Sequence, residues 1–127
     1  MMQRRPRQHD KQHLRFIASL PCVICTTNVD IDAHHIKMPD GRIMKPASSN
    51  LGMKADDRYT VPLCRKHHEE LHAMGEKKFW GCFHYDATLF ALFLYSTSIR
   101  DDHEEAERMI IMASYALRAL RALYAFE

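Results

Sequence analysis

The chain has 127 residues, of which 46% are hydrophobic and 27% charged, and its formal net charge at pH 7 is +2. This length suits a single domain with a modest core, and a net charge this small does not by itself indicate a nucleic-acid-binding protein. The chain starts without the apolar run of a secretory signal, and its most apolar stretch, 87–95, is too short to span a bilayer. We therefore expect a cytoplasmic protein with reduced thiols.

Basic side chains are concentrated at the start of the chain, where residues 1–10 are predicted to form a basic tail. Such an arm can follow a phosphate backbone, or it can be a solvated terminus, and the sequence leaves both open. From 11 to 19, apolar side chains recur at helical spacing before Pro21, so a short helix is expected. The basic residues of this region are Arg4, Arg5, Arg7, Lys11 and Arg15.

Two short strands are predicted on either side of a long loop. Residues 31–36 alternate enough to be a strand, which would place its two adjacent histidines on opposite faces. Residues 59–63 are the second predicted strand, with Pro62 marking its end. The stretch 37–58 has neither a helical nor a strand period, and loops of this length are usually functional or disordered.

The second half of the chain is predicted to be helical. A helix over 64–74 should end at Gly75, a natural helix stop. A second helix, 86–96, is apolar nearly all round, which predicts burial in the core or in an interface. The last helix, 102–126, repeats apolar residues at four- and three-residue steps. Residues 81–127 would thus form a C-terminal helical hairpin, packed on the core or at an interface.

Two short motifs have the spacing of metal ligands: Cys22-x-x-Cys25 and Cys64-x-x-His67. Four such ligands can close a tetrahedral zinc site, which would fasten the turn at the first motif to the helix at the second. Disulfides do not require these spacings. The alternative is that Cys64 is a core residue and His67 a surface residue. Cys82 is left over and is expected to be a small buried apolar residue.

Further histidines lie beside these motifs, although a zinc ion with four ligands needs no more. They are His34, His35, His68 and His72. Hydrolysis of a phosphodiester needs a general base and an electrophile that neutralises charge on phosphate. Histidine, with an ordinary pKa of about 6.5, suits the base, and a divalent cation with open positions suits the electrophile. His35 could be the base while His34 and His68 hold the cation. His72, four residues after His68 on the same helix face, could complete the cation shell or touch phosphate.

At these residues the sequence resembles the HNH endonucleases, the zinc-bearing branch of the ββα-metal (His-Me finger) nucleases. The resemblance covers the turn at Cys22, the segment AHHIKM (33–38) and the segment VPLCRKHHEELH (61–72). It implies that His35 is the catalytic base and that the catalytic divalent metal is bound by His34, His68 and His72. The middle Asn of the family pattern would fall near Tyr59 and is missing, so Asp57 is expected to hold the base-bearing hairpin instead.

More narrowly, residues 21–80 look like the phage RecA-dependent nucleases of the Ref type. This resemblance implies DNA as substrate, a RecA-type recombinase filament as a candidate partner, structural Zn²⁺, and Mg²⁺ or Mn²⁺ as the catalytic ion. Cations of the long loop would position DNA through its phosphates without reading sequence. These predicted DNA-binding residues are Lys37, Arg42, Lys45, Lys54 and Arg58.

We therefore predict an α+β, helix-rich fold with a zinc-stapled ββα-metal (HNH) core over 11–80 and the C-terminal helical hairpin over 81–127. The predicted function is that of a metal-dependent DNA endonuclease, in phage recombination or DNA processing. One alternative is a non-catalytic zinc module that binds DNA or a protein. Another is an assembly factor that forms a homodimer through its C-terminal helices.

Overall fold

The computed structural model of the protein describes residues 10–43, 45 and 56–124. The predicted tail, apart from Asp10, and the DNA-binding candidate Lys54 lie outside these ranges. The described residues form an α+β, helix-rich fold, as predicted. Their elements are α1 (Lys11–Ala18), β1 (Ile31–His35), a 3₁₀ turn (Gly41–Ile43), β2 (Thr60–Cys64), α2 (Arg65–Met74), α3 (Glu76–Cys82), α4 (Ala87–Ile99) and α5 (His103–Tyr124). Among these described helices, none is both long and apolar enough to cross a membrane.

The two strands form an antiparallel hairpin in which Ile31 faces Cys64 and His35 faces Thr60. Pro62 lies in the middle of β2, opposite Ala33, so the prediction that it ends the strand is wrong. The carbonyl of Pro62 accepts a hydrogen bond from the Val23 N–H at 3.0 Å. In an antiparallel strand the N and O atoms of one residue point to the same side, so the proline nitrogen faces away from β1. No bond of the hairpin is therefore lost.

One cluster of buried apolar side chains joins the hairpin to all five described helices. The predicted C-terminal hairpin contributes to the same cluster as β2, through residues such as Ala91, Leu94 and Ile110. The buried residues of α4 lie on one face, although the sequence is apolar nearly all round. The residues of that face are Ala87, Thr88, Ala91, Leu94 and Thr97.

The short helix α3 was not predicted. The predicted end of α2 at Gly75 is confirmed, since this glycine has φ +94° and a side chain there would be strained. The chain enters α3 immediately afterwards, and the segment is too short for a helical period to stand out. Phe79 and Trp80 occupy the buried face of α3. Cys82 points away from that face and is exposed, so the prediction that it is buried is wrong.

The orientation of α4 can be tested by comparing two leucines. Leu94 is fully buried and Leu89 is 45% exposed. We expect Leu94→Ala to lower the free energy of unfolding by about 2–5 kcal/mol, because it leaves a cavity in the core. Leu89→Ala is the matched control, and its effect should stay within about 0.5 kcal/mol. Urea denaturation followed by circular dichroism measures both, and equal losses would contradict the packing of α4.

Candidate functional site

Four side chains form a first set of ligand atoms, here called the cysteine group: Cys22, Cys25, Cys64 and His67. Their sulfur and nitrogen atoms all lie within 4.8 Å of one another. The Sγ atoms of Cys25 and Cys64 are 3.8 Å apart, and Cys64 Sγ is 3.2 Å from His67 Nδ1. Sulfur atoms around a tetrahedral zinc ion, each about 2.3 Å from it, are about 3.8 Å apart. The donor types and their separations therefore fit one tetrahedral ion.

A tight turn and a helix start hold the cysteine group. The Cys22 carbonyl accepts the Thr26 N–H at 2.9 Å, and Thr26 itself has φ +63°. The Ile24 N–H points at Cys22 Sγ at 3.4 Å, a contact that favours a thiolate. Cys64 directly precedes α2, and His67 follows in the first turn of that helix. Burial raises the pKa of the Cys22 thiol to about 12, so a metal that binds there must displace its proton.

Three imidazoles form a second set, here called the histidine group: His34, His68 and His72. Nδ1 of His34 is 3.2 Å from Nε2 of His68, which is 3.1 Å from Nε2 of His72. Nitrogen atoms that share a divalent transition-metal ion at about 2.1 Å lie about 3.0–3.4 Å apart, for octahedral or tetrahedral geometry. The three nitrogens thus fit one side of a coordination shell and leave its other positions for water or a ligand.

The hairpin and α2 together build the histidine group. His34 is buried on β1, while His68 and His72 lie one turn apart on α2, as their spacing predicts. His35 does not belong to this group among the described residues. Its side chain makes its contacts on the opposite face of β1 from His34, because successive side chains of a strand alternate between the two faces.

His35 contacts Asp57, the residue predicted to hold the base. Its Nε2 is 2.8 Å from Asp57 Oδ1, and the Asp57 side chain is buried whereas that of His35 is 26% exposed. The second carboxylate oxygen of Asp57 accepts the backbone N–H of Asp10 at 2.7 Å. Asp10 was not predicted to have a role. Its own side chain accepts the His13 N–H at 2.9 Å and caps α1.

Two carboxylates contact the histidine group from outside, and the sequence analysis predicted neither of them. Glu76 Oε1 is 2.9 Å from His34 Nε2, and Asp32 Oδ2 is 3.0 Å from His68 Nδ1. A usable signal existed for Asp32, because residues two apart on a strand share a face and Asp32 precedes His34 by two. No local signal marked Glu76, since its position depends on how α3 packs.

The charge states of these groups follow from burial and hydrogen bonds. Burial lowers the pKa of His34, which favours the neutral imidazole that can bind a metal. Burial by itself would raise the pKa of Glu76. Hydrogen bonds from His34, the Lys37 N–H and Trp80 outweigh that effect, so the pKa of Glu76 lies below its ordinary value. Glu76 therefore carries a negative charge at neutral pH.

The predicted DNA-binding cations have different environments. Lys37 is exposed, Arg58 pairs with Asp56 at 2.9 Å, and Arg42 bridges the carboxylates of Asp40 and Asp86. Lys45 is only 4% exposed, and its ammonium group donates to the Met38 carbonyl. Because its charge is already buried and bonded, Lys45 is not expected to contact DNA.

The fold and these two groups define an α+β protein in which the turn at Cys22, the hairpin and α2 supply two sets of metal-type ligands. The chain belongs to the family described as "Protein of unknown function (DUF968)", which it matches over residues 1–87. It is also similar to the uncharacterized protein YdfU of Escherichia coli K12, with 35% identity over 69 residues, or 54% of this chain. This match spans 18% of the length of YdfU. No solved structure matches the chain.

Proposed function

We propose that the protein is a metal-dependent DNA endonuclease of the HNH (ββα-metal) type. The observation that carries this proposal is the convergence of three imidazole nitrogens beside a complete cysteine group: Nε2 of His68 lies 3.2 Å from His34 Nδ1 and 3.1 Å from His72 Nε2. A zinc module with a purely structural role has no use for the second set. The order of β1, β2 and α2 supports the same class, because this ββα unit carries the whole histidine group together with Cys64 and His67.

The cysteine group would hold a structural Zn²⁺ that fastens the turn at Cys22 to the start of α2. Thiolate and imidazole are the ligands that zinc prefers, and four of them leave no open position. Because Cys64 ends β2 and His67 lies in the first turn of α2, this zinc site would set the angle between the hairpin and the helix. His68 follows His67 directly, so the same junction orients the histidine group.

The His35–Asp57 pair supplies the general base of the proposed reaction. A carboxylate only accepts hydrogen bonds, so Nε2 of His35 carries the proton and its Nδ1 keeps a free lone pair. That Nδ1 can take the proton of the attacking water. His35 follows His34 directly on β1, so one peptide unit joins the base to a cation ligand, although the two side chains leave opposite faces of the strand. A divalent cation at the histidine group would neutralise the charge that develops on the phosphate.

The donor set narrows the choice of catalytic ion. Magnesium prefers oxygen ligands, whereas imidazole suits transition-metal ions. Of the two predicted ions, three imidazoles favour Mn²⁺ over Mg²⁺. DNA contacts through Lys37, Arg42, Lys54 and Arg58 remain proposals, as does the partnership with a RecA-type filament, which rests on the family resemblance of the sequence.

Nicking of supercoiled plasmid tests the proposed activity. We expect the wild-type protein to nick DNA when Mn²⁺ is added, more weakly with Mg²⁺, and not with a chelator. His68→Ala should lose most of this activity, because it removes the imidazole at the centre of the histidine group. The exposed Glu70→Ala variant, on the same helix, should match the wild type.

Two outcomes would contradict the proposed endonuclease activity. Equal nicking by wild type and His68→Ala would point to a contaminating nuclease. A protein that contains its full zinc and binds DNA, but nicks DNA with none of the added cations, would favour the non-catalytic zinc module. That alternative needs the cysteine group alone.

A further inference from the structure

We infer that the carboxylates of Asp32 and Glu76 are positioning residues for the histidine group. They hold two of its imidazoles in the tautomers that turn free nitrogen lone pairs toward a shared cation. This inference rests on the proposed function, since it assigns a role relative to the cation of that site. Asp32 and Glu76 contact the imidazoles of the histidine group, and neither is assigned a contact with the cation or the DNA.

Glu76 determines the tautomer of His34. Its carboxylate accepts from His34 Nε2 at 2.9 Å, so the single proton of the neutral imidazole sits on Nε2. The lone pair of Nδ1 then faces His68 Nε2 at 3.2 Å. The contact is well shielded from water, because the side chains of His34 and Glu76 are 3% and 11% exposed. Glu76 is itself held by the Lys37 N–H at 3.0 Å.

Asp32 determines the tautomer of His68 in the same way. Its Oδ2 accepts from His68 Nδ1 at 3.0 Å, which leaves the lone pair of Nε2 free. The guanidinium of Arg65 reaches both oxygens of Asp32, at 3.2 and 3.4 Å, and keeps the carboxylate in place. His68 Nε2 is the atom that lies close to both His34 and His72.

The combination of the two carboxylates points to a cation between the histidines. Two free lone pairs 3.2 Å apart repel each other, whereas one N–H directed at the other nitrogen would form a hydrogen bond. Two neutral imidazoles without outside acceptors would adopt that hydrogen bond. Asp32 and Glu76 instead draw both protons outward, and a cation at the inner nitrogens stabilises that arrangement. Carboxylates in this position are known to orient ligand histidines and to raise their basicity.

Titration of Ni²⁺ into the zinc-loaded protein tests this inference, since nickel suits imidazole ligands. We expect Glu76→Ala to weaken Ni²⁺ binding by about 10–100-fold, the usual cost of removing such a carboxylate. Glu76→Gln keeps an acceptor oxygen and should lose less, while the exposed Glu70→Ala should bind as the wild type does. Wild-type affinity in Glu76→Ala would overturn the inference. A wild-type protein that binds no Ni²⁺ beyond its zinc would instead contradict the histidine group of the proposed function.

Imidazole ¹⁵N spectra separate a positioning role from a merely structural one. In the wild type we expect the proton of His34 on Nε2 and that of His68 on Nδ1. Glu76→Ala should release the tautomer of His34 and leave His68 unchanged, and Asp32→Ala should do the reverse. Backbone amide signals of the core should stay in place in both variants. Unchanged tautomers in these variants would overturn the inference even if Ni²⁺ affinity had fallen.

Discussion

Cys64→Ser is expected to remove bound zinc and to unfold much of the protein at room temperature. Zinc sites of this kind contribute about 10–16 kcal/mol of apparent binding free energy, whereas whole domains are stable by only about 5–15 kcal/mol. Cys64 joins β2 to α2 and lies 3.2 Å from His67 Nδ1 and 3.8 Å from Cys25 Sγ. The substitution therefore removes the ligand atom that contacts both of these other ligands. Zinc content by mass spectrometry and the thermal midpoint measure the effect.

Cys82→Ser is the matched control, because it makes the same chemical change at an exposed cysteine outside the cysteine group. It should retain one zinc and an unchanged midpoint. A strong chelator should bring the wild type down to the stability of Cys64→Ser and should affect that variant little. If Cys64→Ser keeps its zinc and its midpoint, the cysteine group is not a structural zinc site.

His35→Ala is expected to reduce plasmid nicking by about 10²–10⁴-fold, the usual contribution of a general base. Zinc content and Ni²⁺ binding should remain at wild-type levels, because His35 belongs to neither ligand group. This separation distinguishes loss of the base from loss of a metal. The matched control is His103→Ala, which removes an exposed imidazole at the start of α5. Nicking rates at saturating Mn²⁺ provide the measurement.

Asp57 supplies a second check on the base. If Asp57 acts by orienting His35, the double variant His35→Ala/Asp57→Ala should be no slower than His35→Ala alone. Losses that multiply would mean that Asp57 acts independently of His35. Nicking by His35→Ala at the wild-type rate would remove both residues from the proposed mechanism.

Much of the fold was predictable because its signals are local. The helix α1 follows from its apolar spacing, and the end of α2 follows from Gly75 with its positive φ. The predictions that failed concern residues whose environment is set by contacts with other parts of the fold. Pro62 is tolerated inside β2 because its nitrogen faces away from β1, and Lys45 is buried because the Met38 carbonyl receives its ammonium group. Neither contact can be read from spacing along the chain.

The sequence by itself determined which side chains share a helix turn or a tight turn, and hence the ligand pairs of both groups. Spacings of three and four residues on a helix bring side chains together wherever that helix packs. Only the tertiary structure decided which carboxylates serve those ligands. Asp32 and His68 are 36 residues apart, and His34 and Glu76 are 42 apart. Such contacts depend on how the hairpin, α2 and α3 pack, and the free energy of that packing is spread over the whole core.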